Sequence, residues 1–135
     1  MMSILRKALA VPAAALFLLM AAGAANAAPA GKVYHAGSCR ASGGYAVCDA
    51  AGTAYSPTLI AVHVSASPAQ SVLVSWDVTC SKGSGAGSSS GQFTARTTLR
   101  RVLHHPYAHP DSCIVSAAAQ LSAGGRLHVW ITYRR

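Results

Sequence analysis

The stretch SVLVSWDVTC, residues 71–80, alternates strictly. Val72, Val74, Trp76, Val78 and Cys80 fall on one side of an extended chain, and Leu73, Ser75, Asp77 and Thr79 on the other. A period of two marks a strand with one buried face, and its valines suit a pleated surface. Three further stretches repeat the pattern. TLIAVHVSA (58–66) sets Ile60, Val62, Val64 and Ala66 against Ala61, His63 and Ser65. CIVSAAAQL (113–121) aligns Cys113, Val115, Ala117, Ala119 and Leu121. RLHVWITYR (126–134) aligns Leu127, Val129, Ile131 and Tyr133, leaving Arg126, His128, Trp130, Thr132 and Arg134 opposite. SPAQ (67–70) and SAGG (122–125) supply turn residues between strands.

A fifth strand is predicted over GQFTARTTLRRVL (91–103), with Phe93, Ala95, Thr97 and Leu99 inward. Its register would carry Arg101 into the core, so a bulge or a strand end is expected near Arg100-Arg101. No segment beyond the leader keeps a helical period for three turns. Short strands separated by turns predict an all-β fold, a small β-sandwich.

The N-terminus reads as a secretory leader: a basic MMSILRK, an apolar run, and Ala25-Asn26-Ala27 as a cleavage signal. Domain boundaries follow as a signal peptide over 1–27, an N-terminal segment over 28–56 and the sandwich over 57–135. No transmembrane segment is expected in the mature chain, which reads as secreted. Loss of Arg6 and Lys7 with the leader leaves nine basic against three acidic side chains, a formal +6. Glutamate is absent, and the acids are Asp49, Asp77 and Asp111. Such a surface serves solubility and favours anionic partners such as wall polymers, nucleic acid or acidic polysaccharide; a cell-wall polymer, a polysaccharide or an extracellular protein is the expected partner.

Four cysteines in an exported domain predict two disulfides, with three possible pairings. Cys80 and Cys113 both lie on inward faces and are expected to join. Cys39 and Cys48 flank RASGGYAV and are expected to clip a hairpin. Closing these loops is worth about 2.7 kcal/mol for the shorter and about 3.8 kcal/mol for the longer. Zinc-type spacing of the C-x-x-C kind is missing.

With strand-embedded Cys80 and Cys113, a core Trp76 nearby and a final strand pair, residues 57–135 resemble an immunoglobulin-like sandwich. Trp76 and Cys80 share one strand, and Asp111 stands where that fold often places a tyrosine. The resemblance implies a superfold, and a superfold carries no function with it.

Candidate chemistry is sparse. GSSSG (87–91) matches G-x-S-x-G around Ser89, but it lies in SKGSGAGSSSG, which reads as a flexible linker. Three isolated aspartates offer no paired carboxylates, so neither an enzyme nor a cofactor is expected. LHHPYAHPDSC (103–113) gathers His104, His105, His109 and Asp111, residues able to ligate zinc, copper or nickel. Pro106 and Pro110 stiffen that stretch, which reads first as a solvated connector. The last strand displays Trp130 beside Arg126, His128 and Arg134, a set suited to stacking on sugars and holding anions. Segment 31–55, with Tyr34, Tyr45 and Tyr55, is the alternative cover for Trp130. The expected function is therefore non-enzymatic binding outside the cell, to an anionic or carbohydrate ligand. Inhibition of an extracellular protease or hydrolase through HHPYAHPDSC or RASGGYAVC is the alternative, and metal binding by the histidine stretch the second alternative.

Overall fold

A strand with one apolar face needs a second layer to bury it, and the chain supplies two layers of four. The computed structural model describes residues 31–96 and 98–135. Its strands are β1 (Val33–Gly43), β2 (Val47–Tyr55), β3 (Leu59–Ser67), β4 (Ser71–Lys82), β5 (Gly85–Arg96), β6 (Thr98–Leu103), β7 (Ser112–Leu121) and β8 (Gly125–Arg134). The first sheet has the order β1-β8-β3-β6 and the second β2-β7-β4-β5, with every neighbour antiparallel. The expected leader and Thr97 lie outside the described residues. Among the described residues no helix is long and apolar enough to cross a membrane.

The alternation seen in the sequence is the burial seen in the sheets. Ile60, Val62 and Val64 on β3, Val72, Val74 and Val78 on β4, Val115 and Leu121 on β7, and Leu127, Val129 and Ile131 on β8 are all buried between the layers. Each contributes about 1.5–3 kcal/mol by leaving water. Several neighbours are only alanines, including Ala50, Ala54, Ala117 and Ala119. That keeps the core small, so the two disulfides carry a large share of stability. Both expected bonds form, Cys39–Cys48 and Cys80–Cys113. The second joins residues directly opposite each other on β4 and β7 of one sheet.

The N-terminal segment is not the separate hairpin that residues 28–56 were expected to make. β1 pairs with β8 in the first sheet and β2 with β7 in the second. The Cys39–Cys48 bond therefore ties the two layers together across an arch. The reason is geometric: β8 and β7 each offer a free hydrogen-bonding edge, and each takes one strand of the arch. Among the described residues only β4 and β5 remain a true hairpin within one sheet.

The β1–β2 side of the sandwich is closed by bare backbone. A Cβ on Gly37 would sit 2.1 Å from the Ala51 carbonyl oxygen, and one on Gly52 would sit 1.7 Å from that of Ala36. A bulge at Ala36 in β1 marks the same place. At the opposite side the chain passes from β5 to β6 and so changes sheets. Arg101 needs no bulge there: it keeps register opposite Val62. On the edge strand it stays exposed, its guanidinium 4.9 Å from the centre of the Phe93 ring.

SKGSGAGSSSG is not a linker. Its residues from Gly85 onward form β5, paired with β4 in unbroken register from Lys82↔Gly85 to Ser71↔Arg96. Alternate positions Gly87, Ser89 and Gly91 are small because they give room to bulkier neighbours. A Cβ on Gly91 would lie 2.9 Å from the Trp76 ring, and one on Gly87 3.2 Å from Pro106. Ser89 Oγ donates a hydrogen bond to the His104 carbonyl. It is engaged in structure and is followed by more strand, not by the helix a nucleophile elbow requires.

Gly52→Ala is expected to lower stability by about 3 kcal/mol or to prevent folding, because backbone must move to admit the methyl group. Gly44→Ala, with nothing within 4 Å, is expected to be neutral in the same urea titration.

Candidate functional site

The outer face of the first sheet collects the charge and the aromatic groups. Register fixes its neighbours row by row. Ser42 on β1, Arg126 on β8 and Ser67 on β3 lie side by side. The next row is Arg40, His128, Ser65 and Thr98. The third is Ser38, Trp130, His63 and Arg100. Strands lie about 4.8 Å apart, so side chains in a row are in reach of one another.

Arg40, Ser42, Ser65, Ser67, Arg126 and His128 line a shallow depression of about 530 Å³. No acidic side chain lies on this face, because the chain's three are elsewhere. Asp49 sits on β2, Asp77 on β4 and Asp111 in the loop before β7. The basic residues therefore face water without a carboxylate neighbour, an arrangement that attracts anions.

Trp130 is not covered by segment 31–55. β1 lies beside β8 within the sheet and puts small Ser38 opposite Trp130. Tyr34 instead stacks on Tyr133, with ring centres 5.3 Å apart. Tyr45 is exposed at the tip of the β1–β2 arch and Tyr55 is exposed at the end of β2. What half-buries Trp130 is a pair of imidazoles. His63 stacks at 4.9 Å with 7° between planes, and His128 at 4.4 Å with 25°. Much of the indole is thus already in use, and the face offers cations and hydroxyls more than a bare stacking platform.

Of the residues singled out from the sequence, Arg126, His128 and Trp130 are brought together. Arg134 shares their side of the strand but lies eight residues from Arg126, about 26 Å along β8, outside the depression. Arg40, His63 and Arg100 were missed, as were Ser42, Ser65 and Ser67. Parity already placed His63 and Ser65 on an outward side. The pairing of β3 and β1 with β8 supplied the rest, and no local signal announces it.

The histidine stretch goes elsewhere. His104 and His109 are exposed, and His105 is turned inward, with Nδ1 against the Tyr107 carbonyl and Nε2 3.4 Å from that of Thr58. Tyr107 packs on the core and Pro110 is buried. Asp111 ties three segments. Its carboxylate accepts from the Gly83 N–H at 2.7 Å, its N–H donates to Ser81 O at 2.8 Å, and its carbonyl accepts from Ser56 N–H at 2.8 Å. Among the described residues no three His, Cys, Asp or Glu side chains gather as a metal site. The stretch plugs the open side of the sandwich; Asp111→Ala is expected to reduce stability by about 1 kcal/mol in thermal or urea melts.

His63 and His128 are both held below the ordinary imidazole value of 6.5. For His63 the cause is burial first, then Arg100 and His35. For His128 it is burial first, then Arg40. His63 Nε2 also shares a 2.8 Å hydrogen bond with Thr132 Oγ1, which satisfies a buried hydroxyl. Below pH 6.5 the unfolded chain binds protons that the folded chain refuses, so stability falls as pH drops through 6.5 and levels off below the folded-state values. Urea midpoints at pH 7.5 and 5 are expected to show this loss, and His63→Gln to make the difference smaller.

No family model, curated protein or solved structure matches this chain, so its function is read from the face itself.

Proposed function

We propose that this is a secreted, non-enzymatic protein that binds an anionic polysaccharide, or a wall polymer of similar charge, on the outer face of its first sheet. The observation that carries the reading is the acid-free face holding Arg40 and Arg126 beside His128 and the depression, with Arg100 in the adjoining row. Two disulfides suit an oxidising compartment, and the leader sequence directs export. A flat, strand-built surface fits a linear polymer: its rows are held rigid by backbone hydrogen bonds, so ordering them on binding costs little.

A second reading, inhibition of an extracellular protease or hydrolase, draws on the arch. Tyr45 is 74% exposed at its tip, and Cys39–Cys48 braces it. Inhibition abolished by reduction, without retention on polysaccharide, would favour it. The histidine loop supports neither inhibition nor metal capture as well, because it is folded back onto β5.

Retention of the mature protein on dextran sulfate is expected to weaken steeply with salt, as contacts to a polyanion do. Arg40→Glu with Arg126→Glu should abolish it and leave the thermal melt close to that of the parent. Unchanged retention in that double variant would place the binding elsewhere.

A further inference from the structure

The groups lining the depression also bear on which anion it takes. We infer that the depression recognises a tetrahedral oxyanion ester, sulfate or phosphate, carried on a glycan, seated between Arg40 and Arg126 against His128. This rests on the reading of the face as an anionic-polysaccharide site and narrows it to one chemical group.

The donors come from three strands and two rows. Arg40 and Ser42 are on β1, Arg126 and His128 on β8, and Ser65 and Ser67 on β3. A guanidinium has five N–H donors and no acceptor, and each serine hydroxyl adds one more donor. A carboxylate presents two oxygens in one plane, which a single guanidinium fork satisfies. The terminal oxygens of a sulfate or phosphate ester point in three directions. That group can take a guanidinium from each side, with hydroxyls and an imidazole from the floor. The depression, at about 530 Å³, admits a substituent and part of its sugar while staying open along the sheet.

Charge supports the same choice. Facing His128 are Arg40 from β1, Arg126 on its own strand, and the uncharged Trp130 and Ser65. His63, beyond Trp130, faces Arg100 on β6 and His35 on β1. No carboxylate side chain lies among them. Burial, then Arg40, holds the His128 imidazole below its ordinary value. An ester anion seated beside it favours the imidazolium, so binding takes up a proton and the imidazole becomes a further charged donor. A phosphate ester, with up to two negative charges, draws that proton more strongly than a sulfate ester does.

The test compares three polymers on one backbone, at matched charge density and pH 6.5: dextran sulfate, dextran phosphate and carboxymethyl-dextran. Either ester is expected to bind at least about tenfold more tightly than the carboxylate polymer. The tighter of the two identifies the source, sulfated or phosphorylated. Ser65→Ala with Ser67→Ala should narrow the ratio of ester to carboxylate, and calorimetry with dextran sulfate, whose ester does not titrate near this pH, in two buffers of different ionisation enthalpy should show net proton uptake. Equal affinity for carboxymethyl-dextran, or binding of dextran sulfate without proton uptake, overturns this inference and leaves the polysaccharide reading standing. Failure of all three polymers to bind the folded protein overturns that reading itself.

Discussion

The close meeting of β1 and β2 at Gly37 and Gly52 is the contact on which the rest is arranged. There a carbonyl of each strand occupies the space where the other would carry a Cβ. Only residues without side chains permit it, and any larger one displaces backbone on both sheets. The contact brings the arch close enough for Cys39 to reach Cys48 across the layers. It also holds β1 as the outer strand of the first sheet. Arg40 and Ser42 then stand next to His128 and Arg126, and the depression exists only because they do. Closure of the sandwich and assembly of the site are thus one event.

The other side is closed by different means. β5 and β6 do not meet as β1 and β2 do, and the gap is filled by the loop of residues 104–111. Tyr107 packs on the core, Pro106 fits against Gly87, and Asp111 ties the loop to the β4–β5 turn and to the β2–β3 turn. Small residues on β5 and bulky ones in the loop are complementary halves of one packing solution. The polar composition of both suggested a linker and a solvated connector. Together they bury what the β5–β6 side would otherwise leave open.

Electrostatics on the first sheet follow from scarcity. With three acidic side chains in the chain, none on this face, the arginines have no carboxylate neighbour there, and the His63 and His128 imidazoles are held below their ordinary value. Stacking on Trp130 and the bond to Thr132 hold His63 in place without using its charge. The result is a rigid surface whose positive potential is not cancelled from within. Such a surface has its favourable partner outside the molecule.

The inward faces of β3, β4, β7 and β8 were legible because burial on one side of a strand imposes a period of two that no other element produces. The same parity located Cys80 and Cys113 on inward faces and put His128 and Trp130 on the outside. It was present in Gly85, Gly87, Ser89 and Gly91 as well. There it was hidden, since small residues on both faces give no contrast in hydrophobicity. By itself, then, the amino-acid sequence determined β3, β4, β7 and β8, the buried side of each and part of the pool of residues available to a surface site. Tertiary structure alone decided which strands became neighbours, that Cys39–Cys48 spans two layers, and that Arg40, His63 and Arg100 join Arg126, His128 and Trp130. The physical reason is that strand pairing is made by backbone groups, which every residue but proline carries alike. Side-chain pattern says which face of a strand is wet; only closure of the whole sandwich says which strand lies beside it.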